Sequence, residues 1–129
     1  MSQIDLSKYK GLYIKTAREY VDQLATGIEN FADGKNDSEL INTLHIASHS
    51  LKGQSLTMGY SSIANISLTL EHIFADAKSN LSILTPELIA VARNAVAQMS
   101  ESISFIEQGN SEKELSEIIA ALQKLHPQT

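Results

Sequence analysis

The sequence predicts an all-α fold, namely an antiparallel up-down four-helix bundle with one additional C-terminal helix. Five segments carry apolar residues at steps of three and four, which is the spacing of one face of a helix. Hydrophobic residues make up 43% of the 129-residue chain but aromatic residues only 5%, so Leu, Ile and Ala supply most of the core. Only two prolines interrupt the chain, and short loops between long helices favour antiparallel neighbours.

The first two helices are predicted over about 7–32 and 37–59. The apolar stripe of the first consists of Tyr13, Ala17, Tyr20, Leu24, Gly27, Ile28 and Phe31. The stripe of the second consists of Leu40, Leu44, Ala47, Leu51, Ser55 and Met58. Gly34 suits a left-handed helix end, Asp37 is a favourable N-cap for the second helix, and Gly59 interrupts that helix.

The remaining three helices are predicted over about 61–77, 86–109 and 111–125. Thr85 and Pro86 open the fourth helix, because Thr is a favourable N-cap and Pro fits the first helical position. Ser111 and Glu114 have the spacing of a capping box, which predicts that the fifth helix begins there. The bundle covers about 6–109, and residues 1–129 form a single domain that is expected to be a monomer.

The composition excludes several classes of protein. The chain has no cysteine, which excludes disulfides, thiolate nucleophiles and cysteine-based zinc sites and suits a reducing compartment. No apolar run approaches the roughly 18 residues that span a membrane, and residues 1–10 do not resemble a signal peptide, so a cytoplasmic location is expected. The net charge is −5 with scattered basic residues, which argues against a nucleic-acid partner.

The residues with chemical potential lie on the second helix. On a helical wheel His49 points away from the apolar stripe, and His45 and Lys52 share its face. A solvent-facing imidazole could act as a nucleophile in the active site of a partner, with Lys52 attracting phosphoryl oxygens. Gly53, one turn later, costs about 1 kcal/mol relative to alanine inside a helix. That cost suggests that open surface beside His49 is needed for a partner to approach.

These residues resemble a known family. The run His49-Ser50-Leu51-Lys52-Gly53, followed by Met58-Gly59-Tyr60 and by Leu70-Glu71, is similar to the histidine phosphotransfer (HPt) family. Within that family it is most similar to the N-terminal phosphotransfer domain of CheA-type chemotaxis histidine kinases. The resemblance covers about residues 6–109 and is sharpest between 45 and 74.

The resemblance implies a role for five residues. His49 would be phosphorylated on Nε2, while Glu71 would accept a hydrogen bond from the other ring nitrogen and so orient the ring. Lys52 would stabilise the phosphoryl group. Gly53 would open the docking surface, and Gly59 would form the turn between the two central helices.

The chain departs from the CheA-type pattern at one position. Such domains often carry a second histidine three residues before the glutamate, where this sequence has Leu68. Whether His45 or His72 takes its place stays open at this point. Glu71 is expected at the surface. The residues expected to provide docking or access to His49 are Gly53, Leu56, Gly59, Leu68, His45 and His72.

The implied function is phosphoryl transfer in two-component or chemotaxis signalling. His49 would accept the group from the ATP-binding domain of a histidine kinase and pass it to an aspartate of a response-regulator receiver domain. No cofactor or metal is expected in this domain, because the sequence has no Gly-rich phosphate loop and ATP and Mg²⁺ belong to the partners. Whether the chain is complete or part of a larger kinase stays open.

Two alternatives belong to other functional classes. The first is a non-catalytic helical adaptor of the same fold. The second is a metal-binding bundle, since His45 and His49 have the i, i+4 spacing of a helical metal pair and Glu71 or His72 could add a ligand. Such pairs occur often by chance, and no HExxH motif is present.

Overall fold

The computed structural model describes residues 6–127, which are helical apart from the connections between helices. In chain order the elements are α1 (Leu6–Ala32), α2 (Ser38–Met58), α3 (Ser61–Ser79), a short 3₁₀ turn (Leu81–Ile83), α4 (Pro86–Glu107) and α5 (Ser116–Leu125). The predicted all-α fold with five helices is confirmed. Within residues 6–127, none of the helices combines the length and apolar character needed to cross a bilayer.

Local signals set three of the helix ends. The Asp37 carboxylate accepts a hydrogen bond of 2.7 Å from the backbone N–H of Leu40 and so caps the start of α2. The Thr85 hydroxyl accepts one of 3.1 Å from the N–H of Leu88 at the start of α4. Gly59 ends α2 at φ 83°, a left-handed conformation that glycine adopts without steric cost.

Cross-helix ion pairs show the directions of α1 and α4. Arg18, in the middle of α1, pairs with Glu107 at the end of α4. Glu29, late in α1, pairs with Arg93 near the start of α4. The two helices therefore run antiparallel, as predicted. Helix α2 packs against both α1 and α3, whereas α5 packs against α4 and α3.

The core lies along the middle of the bundle and receives apolar side chains from all five helices. The largest fully buried side chains are Leu24, Ile28, Ile41, Leu44, Leu51, Ile63, Ile66, Leu70, Ile73, Phe74, Leu88 and Met99. Gly27 allows α1 to approach α2 closely, because a Cβ at this position would lie 2.5 Å from Cδ2 of Leu44. The glycine in the predicted stripe of α1 is thus a packing residue.

The predicted start of the fifth helix was wrong. Residues 111–115 are not helical, and α5 begins at Ser116, five residues after the predicted Ser111. The Glu114 carboxylate does not form the expected capping box with Ser111. It instead accepts hydrogen bonds from the backbone N–H of Ser116 at 2.8 Å and from its hydroxyl at 2.6 Å.

Residues 111–115 are held by tertiary contacts that compete with a helix. The Glu112 carboxylate accepts hydrogen bonds from the backbone N–H groups of Ser62 (3.2 Å) and Ile63 (3.0 Å) in the first turn of α3. Tyr60, which precedes α3, gives it no side-chain cap. Glu112 therefore caps a helix that lies 50 residues earlier in the sequence, and this satisfies donors that a helix leaves unpaired.

Candidate functional site

His49 lies at the centre of the site, on the outer face of α2. Ala47 and Leu51, two residues to either side, are completely buried, whereas the His49 side chain is 61% exposed. The exposure predicted from the helical wheel is therefore found. The imidazole is accessible to another protein while its backbone is held by a packed helix.

Glu71 of α3 contacts the ring of His49. Its Oε2 lies 2.7 Å from Nδ1 of His49. An ionised carboxylate can only accept hydrogen bonds, so the neutral ring carries its hydrogen on Nδ1 and donates it to Glu71. Nε2 then keeps a free lone pair and is the nucleophilic atom of the ring.

Lys52 contacts the other oxygen of the same carboxylate. Its Nζ lies 2.8 Å from Oε1 of Glu71 and forms an ion pair with it. The ammonium group is also 3.5 Å from Nδ1 of His49. One carboxylate thus joins the histidine and the lysine, which lie three residues apart on α2.

Glu71 is less exposed than the sequence analysis predicted. Its side chain is only 14% exposed, because His49 and Lys52 cover it. Partial burial by itself raises the pKa of the Glu71 carboxyl, but contacts with Lys52 and His49 outweigh burial and hold that pKa below its ordinary value. Glu71 is therefore ionised at neutral pH and remains a hydrogen-bond acceptor.

His45 lies one turn before His49 and belongs to the same cluster. Its Nε2 is 3.9 Å from Oε2 of Glu71, and the two imidazole centroids are 6.5 Å apart. On its other side, Nζ of Lys78 lies 2.7 Å from Nδ1 of His45. Burial, followed by the charge of Lys78, lowers the pKa of His45, so the ring is neutral near pH 7.

The surface around His49 is open toward α1 and the end of α2. A Cβ on Gly53 would meet no atom within 4 Å, and Leu56 is 59% exposed. A shallow, mostly apolar groove of about 570 Å³ runs between α1 and α2 and is lined in part by His49, Gly53, Tyr9 and Leu12. Both glycine and groove leave room for a partner surface.

The other predicted site residues lie in different places. Gly59 forms the left-handed turn between α2 and α3. Leu68 is half-buried and lines a groove between α3 and α5. His72 is exposed, one residue after Glu71. Of the residues considered for docking, His45, Gly53 and Leu56 are on the helix of His49, whereas Leu68 faces α5.

The arrangement does not favour a metal centre. Within residues 6–127, no group of three or more histidine, aspartate or glutamate side chains is placed to hold a metal ion. The ammonium groups of Lys52 and Lys78 contact Glu71 and His45, which are the groups that a metal would need. A cation at this position would be repelled by both lysines.

Two parts of the site were missed by the sequence analysis. Lys78 lies 33 residues after His45, so helical spacing gives no sign of their contact. Tyr9 and Leu12 are 55% and 61% exposed. Tyr9 lies one turn before Tyr13 and so continues the apolar stripe of α1, whereas Leu12 lies off that stripe. Leu12 is therefore the sequence signal that could have indicated an apolar surface outside the core.

Comparison with known proteins gives a family match and several relatives. The chain matches the family model described as Hpt domain over residues 8–126. Chemotaxis protein CheA of Listeria monocytogenes serovar 1/2a is 23% identical over 119 residues, which are 91% of this chain and 19% of that protein. Chemotaxis protein CheA of Bacillus subtilis strain 168 is 23% identical over 120 residues, or 92% of this chain and 18% of the relative. The chain thus spans about a fifth of the length of the curated relatives it matches.

Proposed function

The chain belongs to the Hpt domain family, and we propose that Nε2 of its His49 is the phosphoryl carrier. The observation that carries this proposal is the 2.7 Å contact between Nδ1 of His49 and the Glu71 carboxylate. This contact fixes the tautomer of the exposed His49 ring, so that the lone pair is on Nε2. Nearby Lys52 adds positive charge where phosphoryl oxygens would arrive.

In the uptake step, the lone pair of Nε2 attacks the γ-phosphorus of ATP that is held by a histidine kinase. The N–P bond forms as the bond from phosphorus to the β,γ-bridging oxygen breaks, and ADP leaves with that electron pair. No proton leaves the ring of His49, because Nδ1 keeps its hydrogen. The ring therefore becomes an imidazolium bonded to a phosphoryl group.

Glu71 fits the charge that develops in this step. As the ring becomes positive, its Nδ1–H bond to the carboxylate changes from a neutral-donor to a charge-assisted hydrogen bond, which is stronger. The partial burial of Glu71 strengthens this interaction further because less water screens it. Stabilisation that grows toward the transition state accelerates the reaction.

Lys52 has two tasks in this proposal. Before transfer it neutralises Glu71 through Oε1. During transfer, its ammonium group on a flexible four-carbon stem rotates toward the phosphoryl oxygens and offsets their negative charge.

The second step returns the group to a partner. A carboxylate oxygen of a receiver aspartate attacks phosphorus, the N–P bond breaks, and its electron pair returns to Nε2 of His49. ATP and Mg²⁺ are supplied by the kinase and the receiver, so this domain contributes positioning and charge. Because the relatives are named chemotaxis protein CheA, we propose a CheA-type kinase, acting in the cytoplasm, as the donor. The open surface at Gly53 and Leu56 is where either partner would approach.

The test is phosphorylation of the full chain by a CheA-type catalytic core with radiolabelled ATP. We expect an acid-labile, base-stable label, mapped by mass spectrometry to His49. His49→Gln should give a folded protein, as judged by circular dichroism, that takes up no label. His126→Gln, which removes a histidine that pairs with Asp76 and not with His49 or Glu71, should be labelled like the unmodified protein.

Other outcomes would reject the proposal. If His49→Gln keeps its label, another residue is the acceptor. If a competent kinase and receiver pair gives no label on the unmodified chain, the domain is a non-catalytic adaptor of the same fold. Stoichiometric metal after native purification would support the metal-binding alternative.

A further inference from the structure

His45 lies beside the Glu71 carboxylate and contacts Lys78 on its other side. Neither residue has a role in the proposed function. We propose that His45, held by Lys78, is a positioning residue for phosphorylation of His49. It keeps the Glu71 carboxylate turned toward Nδ1 of His49. This inference rests on the proposed function, because it concerns the rate at which His49 takes up a phosphoryl group.

The contact with Lys78 fixes which nitrogen of His45 carries hydrogen. An ammonium group has only donors, so at 2.7 Å from Nζ of Lys78 the Nδ1 atom of His45 must accept. In the neutral ring the hydrogen is therefore on Nε2. That nitrogen is the one that lies nearest to Glu71.

The N–H of His45 is thus placed beside the oxygen that binds His49. The separation of 3.9 Å between Nε2 of His45 and Oε2 of Glu71 exceeds a direct hydrogen bond, so the attraction is that between a dipole and a charge. The His45 and Glu71 side chains are 25% and 14% exposed, which limits the screening of this attraction by water. Lys52 holds Oε1 in a corresponding way.

The carboxylate is therefore held at both oxygens. Without His45, Oε2 of Glu71 loses its neighbour on one side, and the carboxylate gains freedom to rotate away from His49. An unrestrained neutral imidazole exchanges its hydrogen between both nitrogens. Each molecule of the other tautomer has no lone pair on Nε2 and cannot attack phosphorus.

The experiment compares three variants of the full chain. His45→Leu removes both ring nitrogens, and Lys78→Met removes the ammonium group that orients the ring. His45→Gln keeps an acceptor for Lys78 and a donor toward Glu71, so it should restore much of the function. Lys124→Met in α5 and His126→Gln, at the residue that follows α5, are matched controls outside this cluster.

Two quantities are measured on each variant that circular dichroism shows to be folded. The first is the initial rate of phosphoryl uptake from a CheA-type catalytic core with ATP. The second is the tautomer of His49, read from the ¹⁵N chemical shifts of its ring in the absence of kinase. A residue that serves only to hold the fold would not change the tautomer.

We expect His45→Leu and Lys78→Met to slow uptake by about two- to fivefold, which is toward the lower end of the effect of losing one hydrogen bond, because the contact between His45 and Glu71 is longer than a hydrogen bond. The same variants should move His49 from the Nδ1–H form toward a mixture, while His45→Gln and both controls stay near the unmodified protein. Unchanged rates and tautomer in both His45→Leu and Lys78→Met would overturn the inference. If His45→Leu does not fold, the exposed Lys78 decides the matter through Lys78→Met alone.

This outcome is distinguishable from failure of the proposed function. If the unmodified chain takes up no label, the proposed function fails, and the tautomer measurement still tests whether His45 positions Glu71. If the chain is labelled at full rate without His45 and Lys78, only the further inference fails.

Discussion

The two faces of α2 differ in what determines them. On the inner face, Ala47 and Leu51 are fully buried and contribute shape and apolar area to the core. On the outer face, His49 contributes a ring nitrogen whose direction is set by Glu71 of another helix. A substitution on the inner face should therefore cost stability, whereas one on the outer face should cost transfer chemistry.

Gly27 and Gly53 show the same contrast between the inner and outer faces of α2. Gly27 of α1 faces the inner side of α2, where an added Cβ would overlap Leu44. Gly53 is on the outer side of α2, where an added Cβ meets open space. The difference teaches that a helical glycine has a packing role at the first position and needs an external explanation, such as a docking partner, at the second.

The largest expected effect is on the inner face. Leu51→Ala should lower the free energy of unfolding by about 2–5 kcal/mol, because it leaves a cavity in a fully packed core. Urea unfolding followed by circular dichroism measures this. Leu56→Ala, at an exposed position of the same helix, should change stability by no more than about 0.5 kcal/mol. Similar losses at the two positions would remove the contrast between the faces.

Glu71→Gln tests the outer face. The amide keeps the size of the side chain but loses the charge that stabilises the imidazolium, so phosphoryl uptake should fall by about 10- to 100-fold. Stability should change by less than about 1 kcal/mol. Initial rates with a CheA-type catalytic core and urea unfolding measure the two effects. Unfolding of the variant with no specific loss of rate in the folded fraction would make Glu71 a structural residue.

Replacing Gly27 or Gly53 by alanine should change the stability of the protein in opposite directions. Gly27→Ala should destabilise the protein by about 1–3 kcal/mol, because the added methyl group forces the buried Leu44 to shift. Gly53→Ala should stabilise it by up to about 1 kcal/mol, because alanine favours the helix and meets no atom. Thermal unfolding of both variants measures the sign. Phosphoryl uptake should slow only in Gly53→Ala, and an unchanged rate there would argue against close docking at this position.

The smallest expected effect is a pH dependence from Glu71. The folded state holds the pKa of this carboxyl below its ordinary value of 4.5, so the unfolded chain binds the proton first as the pH falls. The stabilisation is therefore complete above about pH 4.5 and is lost as the pH falls through the lower folded value. Unfolding of the unmodified protein and of Glu71→Gln at pH 7 and pH 3 should show their difference shrink by less than about 1 kcal/mol. A difference that grows toward pH 3 would contradict this direction.

Much of the fold could be predicted because the signals are local. Asp37 and Thr85 cap helices through backbone groups three residues away, and Gly59 ends α2 through its own backbone conformation. The exposure of His49 follows from the helical period alone. Such interactions are contained within one or two turns, so their pattern is visible in the sequence.

The sequence by itself therefore determined that five helices form and on which side of α2 His49 lies, and the resemblance to a family added Glu71. Only the tertiary structure decided what those residues touch. Glu112 caps α3 instead of starting α5, Lys78 binds His45, and Glu71 is covered by its own partners. These contacts join residues that lie 19 to 50 positions apart, and their geometry depends on how whole helices pack, which no local pattern encodes.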